Sequence, residues 1–245
     1  MAQRYYQTGE PNATGTRFAW MSTDGKKSTA LPGGTDNTVN ADMVYGAIST
    51  SNASPATNYL GGYSFNTLAQ TAAQGRCAAI CAVRVGAGTF GSGAWSCTVA
   101  SFEGNGAANA FFAVSVYLYR EGTGVVSYVY DASTSLGTEF TSTPRTHRVG
   151  SFTGANVTSL NGDYLCWEIW AVGTQSMATT YLAAAFAGNP ISATADTTDG
   201  SESGRDWLEA PAAFPAYSAA TPIGIPFLPG FHRPQFTRPR RRIMS

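Results

Sequence analysis

The chain has 245 residues, in which 15 Lys+Arg balance 15 Asp+Glu, and only 12% of the residues are charged. That length suffices for one large β domain or two small ones, with a sizeable buried core. A charged share about half the usual one argues against a freely soluble enzyme. It suits a protein that hides surface in an assembly, or a glycine-rich sandwich with Ser/Thr faces.

The first residues, MAQRYYQTGEP, lack the apolar stretch of a secretory signal. No run of about 18 apolar residues is present, so no membrane span is expected. The sequons at Asn12, Asn52 and Asn156 are chance matches in so Ser/Thr-rich a chain. Helical periodicity is nearly absent. Short runs rich in Val, Ile, Tyr, Phe and Trp alternate with Gly/Ser/Thr/Asn clusters, which predicts strands and turns.

In chain order, RYYQTG, TRFAWMS, ADMVYGAIS and NYLGGYSF read as weaker strands. RCAAICAVRVG and AWSCTVASFE read as stronger ones around a glycine-rich turn. That turn, Gly86-Ala87-Gly88-Thr89-Phe90-Gly91, spells the GxGxxG of a dinucleotide loop. Such a loop needs a helix to follow, so that amides at its N-terminus meet the pyrophosphate. A strand follows instead, so the segment reads as a hairpin loop. The cysteines are Cys77, Cys81, Cys97 and Cys166, without a CxxC pair and with only His147 and His232 beside them. A zinc site is therefore not expected. Cys77 and Cys81 are about 13 Å apart along a strand and cannot bridge. A Cys81–Cys97 cross-strand pair and small buried thiols remain as the two readings.

NAFFAVSVYLYRE alternates cleanly. Phe112, Val114, Val116 and Leu118 fall on one face, and Phe111, Ala113, Ser115, Tyr117 and Tyr119 on the other. The turn EGTG and the run VVSYVYD complete a hairpin. HRVGSFT is a weaker strand. DYLCWEIWAVG places Leu165, Trp167, Ile169 and Ala171 opposite Cys166, Glu168, Trp170 and Val172, and TYLAAAFAG follows as the partner in a second hairpin. About ten or eleven strands over residues 1–190, with turns every 10 to 15 residues, predict an all-β, jelly-roll-like β-sandwich. Several strands are apolar on both faces, whereas a sheet with one wet face should alternate. Trp170, Tyr117 and Tyr119 mark such a second face, covered either by a partner or by a loop of the chain itself.

From about residue 190 the character changes, and residues 191–245 read as an extended, Pro/Arg-rich arm. Prolines at 211, 215, 222, 226 and 229 exclude helix interiors and central strands. Trp207, Phe214, Tyr217, Ile223, Ile225, Phe227, Leu228, Phe231 and Phe236 lie among them. Those apolar side chains need burial, so the segment from residue 205 on reads as chain packed along a surface, its own or a neighbour's. Arg233, Arg238, Arg240, Arg241 and Arg242 all fall in the last 15 residues, which leaves ten basic and 15 acidic residues, a charge of −5, in the first 230. Three readings of this end compete: a protein dock, a nucleic-acid contact and a solvated end. Five Arg without Lys favours forked pairing with carboxylates, while an acidic body without a basic stripe weighs against nucleic acid.

Catalytic constellations are not legible. His147 lies between two arginines in TPRTHRVG, and no GxSxG, HExxH or DxDxDG occurs. No cofactor is implied. A carbohydrate platform is the alternative to an assembly role, with Trp170 and the Tyr117/Tyr119 face as its candidates.

Arg4-Tyr5-Tyr6, the segment Thr16 to Trp20, the strand Gly162 to Ala171 and TYLAAAFAG together resemble β-rich structural proteins of tailed bacteriophage virions. The resemblance implies a jelly-roll-like sandwich in a capsid-decorating, neck, tail or fibre component, without catalysis, located in the virion. It leaves the arm unexplained. The physical reading is that Phe227, Phe231, Arg233, Phe236, Arg238, Arg240, Arg241 and Arg242 dock on copies of the chain or on other virion proteins, with no membrane involved.

Overall fold

The structure is a computed structural model that describes residues 1–8, 44–49, 62–67, 74–103, 109–131, 136–140, 146–173, 181–186 and 206–219. Among these residues there are thirteen strands and no helix. In order they are β1 (Gln3–Thr8), β2 (Val44–Ser49), β3 (Gly62–Thr67), β4 (Gln74–Arg84), β5 (Gly88–Phe90), β6 (Gly93–Glu103) and β7 (Ala110–Arg120). Then come β8 (Gly124–Tyr130), β9 (Thr146–Gly154), β10 (Val157–Ser159), β11 (Tyr164–Gly173), β12 (Tyr181–Phe186) and β13 (Trp207–Ala210).

Eleven strands form one hydrogen-bonded sheet: ten follow the path β3-β12-β6-β13-β1-β2-β4-β11-β7-β8, and β9 joins on the other edge of β6. All pairs in it are antiparallel except β2 with β4. The path folds over on itself into a sandwich, because side chains from its two halves share one core. Val114, Val116 and Leu118 of β7 and Leu165, Trp167 and Ile169 of β11 meet Trp95, Cys97 and Val99 of β6 and Leu208 of β13. Aromatic rings tie the layers: Tyr130 of β8 stacks on Phe152 of β9 at 4.3 Å, and Phe152 stacks on Trp95 at 5.8 Å. The alternation read from NAFFAVSVYLYRE and DYLCWEIWAVG divides β7 and β11 between this shared core and a second face that is also buried.

The β7–β8 hairpin turns through Gly122 and Gly124, both at positive φ, as glycine allows at low cost. The second expected hairpin does not form. β12 pairs with β3 and β6, because both edges of β11 are already occupied by β4 and β7. Nor do β4 and β6 pair with each other. The glycine-rich link between them carries β5, which pairs with β10, and it passes from one half of the path to the other.

Cys81, Cys97 and Cys166 are buried thiols rather than disulfides. Burial pushes the Cys81 and Cys97 thiols far above their ordinary range, and the nearby Asp206 carboxylate adds to this, so both are chemically quiet. Part of the region read as arm belongs to the body: residues 207–210 are a strand with neighbours on both sides.

Candidate functional site

The predicted function rests on how the C-terminal segment is attached, and the attachment starts with β13. WLEA alternates as a strand should. Leu208 and Ala210 enter the core, while Glu209 faces outward. Glu209 sits directly opposite Arg4 of β1. The Arg4 Nε–H donates to the Glu209 carboxylate at 2.7 Å, and the guanidinium lies 4.3 Å from the centre of the Trp207 ring. Such cross-strand pairs help to fix register.

One edge of β6 is shared by two strands. β13 pairs with residues 96–98 and β12 with residues 101–103. The Ala100 N–H falls between them and donates to the buried Asp206 carboxylate at 3.0 Å. An unmet backbone donor at that depth would cost about 1–3 kcal/mol.

Pro211 ends the ladder, since proline lacks the N–H that a further pair would need. The chain then continues as a strap over the glycine-rich link. Phe214 lies flat on Tyr5, with ring centroids 4.0 Å apart, and its N–H donates to the Tyr5 hydroxyl at 2.9 Å. Phe90 and Trp95 flank the Phe214 ring at 5.3 and 5.9 Å. The Gly86 N–H donates to the Pro215 carbonyl at 2.8 Å, and Val85 and Ala216 form an isolated β-bridge.

Two glycines of the GxGxxG segment make this approach possible. A Cβ on Gly86 would collide with the Ala216 carbonyl oxygen, and one on Gly88 would come within 2.7 Å of Pro215 Cγ. These glycines clear a track for the backbone of Pro215 and Ala216.

Beyond the track, side chains hold the strap at the rim of the sandwich. Arg84 lies near the rings of Tyr164 and Tyr217, 5.0 and 5.4 Å from their centres. It donates to both hydroxyls, at 2.9 Å to Tyr164 and 3.3 Å to Tyr217. Asn161 imitates a strand neighbour: its amide N–H donates to the Ser218 carbonyl at 2.7 Å, and its carbonyl accepts from the Ser218 N–H at 3.0 Å. The turn that carries Asn161 is fixed by Asp163, which accepts two hydrogen bonds from Arg120 at 2.8 and 2.7 Å and one from the Leu160 N–H at 2.8 Å. Burial alone would raise the Asp163 pKa, but Arg120 and the Leu160 N–H outweigh it and hold the carboxyl below its ordinary range.

The predicted arm residues Phe227, Phe231, Arg233, Phe236, Arg238, Arg240, Arg241 and Arg242 lie outside the described residues. Trp170 and Tyr117 are fully enclosed and Tyr119 is 3% exposed, so none of these rings offers a face to a glycan or to a partner. The Tyr117 hydroxyl and the Trp170 indole N–H donate to the Glu168 carboxylate at 2.8 and 3.0 Å. Sequence reasoning missed the anchoring set of Gly86, Arg84, Asn161 and Tyr217. The available signal was two proline-spaced aromatics, Phe214 and Tyr217, together with a glycine-rich link that no helix follows. Among the described residues, no group of three or more His, Cys, Asp and Glu side chains could hold a metal ion.

No family model matches the chain, and no curated protein matches it. Among solved structures it is similar to a chain from "Structure of infectious bursal disease virus Gx strain", with a TM-score of 0.29 and 10% identity. The match covers 60% of this chain and 33% of that one, so this chain spans about a third of that protein's length.

Proposed function

We propose that the protein is a non-enzymatic structural component of a virion, of the tailed-bacteriophage type. In this reading it self-associates or docks on neighbouring subunits through the segment beyond Ala219. The observation that carries the proposal is the two-way Asn161–Ser218 clamp that ends the strap. A tether is useful only if load on it reaches the core. Here the load passes from the clamp and the glycine track to β13, which has ladder partners on both sides. Past the clamp come five arginines without a lysine, while the first 230 residues carry a surplus of five acidic residues. Forked pairing of those arginines with carboxylates on an identical neighbour is the simplest use of that imbalance. The virion assignment itself rests on the sequence resemblance.

The glycan-binding alternative draws no support from Trp170, Tyr117 or Tyr119, whose rings are enclosed. The direct experiment removes residues 231–245 and compares size-exclusion light scattering with far-UV circular dichroism. We expect an intact β spectrum and a loss of assembly. Assembly that survives the deletion would sink the tether. Assembly of the full chain should also weaken with salt, because exposed charge pairs are screened.

A further inference from the structure

The asparagine that clamps the strap is exposed and is followed directly by a glycine. Asparagine is among the heat-labile side chains. The cause is local: the backbone nitrogen of the next residue can attack the side-chain carbonyl carbon, and a glycine puts no side chain in the way. Neither residue of the Asn161–Gly162 pair is free to change. Gly162 has a φ of +99°, which favours glycine. Asn161 both donates to Ser218 and accepts from it, and a side-chain amide carries both functions.

Two guards stand over the pair. The Gly162 N–H donates to the Val85 carbonyl at 2.9 Å, so the attacking nitrogen is tied down just past β4. The Asn161 amide is held through its nitrogen by the Ser218 carbonyl and through its oxygen by the Ser218 N–H. This second guard belongs to the strap, and it lasts only while Ser218 is docked.

We propose that Asn161–Gly162 is a deamidation site gated by the strap, which turns a reversible opening of the strap into a permanent one. Local opening of this kind costs less than unfolding of the body. Once Ser218 has lifted off and the turn has opened, the Gly162 nitrogen gives its proton to water and bonds to Asn161 Cγ. The Cγ–Nδ2 bond breaks, and the amide nitrogen takes a proton from water and leaves as ammonia. Water then opens the succinimide ring at either carbonyl and leaves isoaspartate or aspartate at position 161. Water is the only other reactant.

The product cannot remake the clamp. The atom that donated to the Ser218 carbonyl at 2.7 Å is replaced by a carboxylate oxygen, which only accepts. Two acceptors at that distance repel, and one of them is charged. Isoaspartate also adds a carbon to the main chain of a turn that Asp163 holds through Arg120 and the Leu160 N–H. The inference stands on the clamp alone and holds whatever the segment beyond it binds.

The test incubates the full chain at mildly alkaline pH and follows Asn161 by peptide mapping with enzymatic detection of isoaspartate. The same chain in urea supplies the unguarded rate. We expect Asn161 to convert at least about tenfold more slowly in the native chain, from two clamp hydrogen bonds of about 1 kcal/mol each. Phe214→Ala loosens the strap through a ring that does not touch the turn, and it should bring the folded rate towards the unguarded one. Equal rates in the native and unfolded chains overturn the proposal. So does a folded Phe214→Ala chain that converts no faster than the parent. If that variant does not fold, Asn161→Asp decides, because it presents one product directly. Its Ser218 amide should lose exchange protection while the Leu160 and Asp163 amides keep theirs. Ser218 protection equal to that of the parent chain overturns the proposal.

Discussion

Two adjoining stretches near the C-terminal side of the body are held by different means. Trp207–Ala210 is held by backbone ladders to β1 and β6, with Leu208 and Ala210 in the core. Pro211–Ser218 has a single β-bridge, and depends on one stacked aromatic, two glycines, the contact of Arg84 with Tyr217 and one asparagine. Where proline removes the ladder, attachment passes from repeated backbone bonds to a few individual contacts, each open to removal by one substitution. The ladder should therefore fail together with the fold, and the strap should come off piece by piece.

The largest effect is expected from Leu208→Ala. The side chain is fully buried, so urea denaturation should show a loss of about 3 kcal/mol in global stability. Phe214→Ala should cost about 2 kcal/mol, because this ring is only partly buried. It should also free the Tyr5 hydroxyl, whose pKa burial raises while the Phe214 N–H pulls it down. Gly86→Ala should cost about 1–3 kcal/mol, as overpacking does, with increased amide exchange at Ala216 to Ser218. If it proves as damaging as Leu208→Ala, the strap is part of the cooperative core and the contrast fails.

Asn161→Ala should lower global stability by only about 0.5–1.5 kcal/mol, yet remove exchange protection from the Ser218 amide. The smallest effect is the acid response of the turn beneath the clamp. Asp163 is held below its ordinary range by Arg120 and the Leu160 N–H. Its contribution is thus full above the ordinary aspartate value of about 3.9 and is lost as pH falls through the lowered one. Asp163→Asn should flatten that limb of the stability–pH profile.

Local pattern was the legible part of this molecule. The faces of β7 and β11 follow directly from period-two alternation, and both faces proved buried, as their double apolarity suggested. Partner choice was not legible, because it depends on which edges are already filled. TYLAAAFAG follows β11 in sequence, yet β4 and β7 occupy both edges of β11 before β12 can. The boundary read at residue 190 missed β13 for a related reason: four residues between a polar stretch and a proline carry too little pattern to announce a strand inserted between β1 and β6. The GxGxxG segment is followed by strands, as read, but the hairpin expected around it does not form, since β5 pairs with β10 instead. Its real purpose, clearance for Pro215 and Ala216, involves residues more than a hundred positions away, and no local rule reaches that far.

The pairing of β1 with β13 has a consequence for synthesis. Arg4 and Glu209 are partners across 205 residues. At roughly 5–20 residues per second on the ribosome, β1 waits about 10 to 40 s for its second neighbour to be made. Throughout that interval one edge of β1 lacks its strand, as does one stretch of β6 once residues 93–103 have been made, and open edges of this kind invite wrong pairing between nascent chains. The sandwich therefore closes late, since β1 gains this neighbour only once residue 210 has been made.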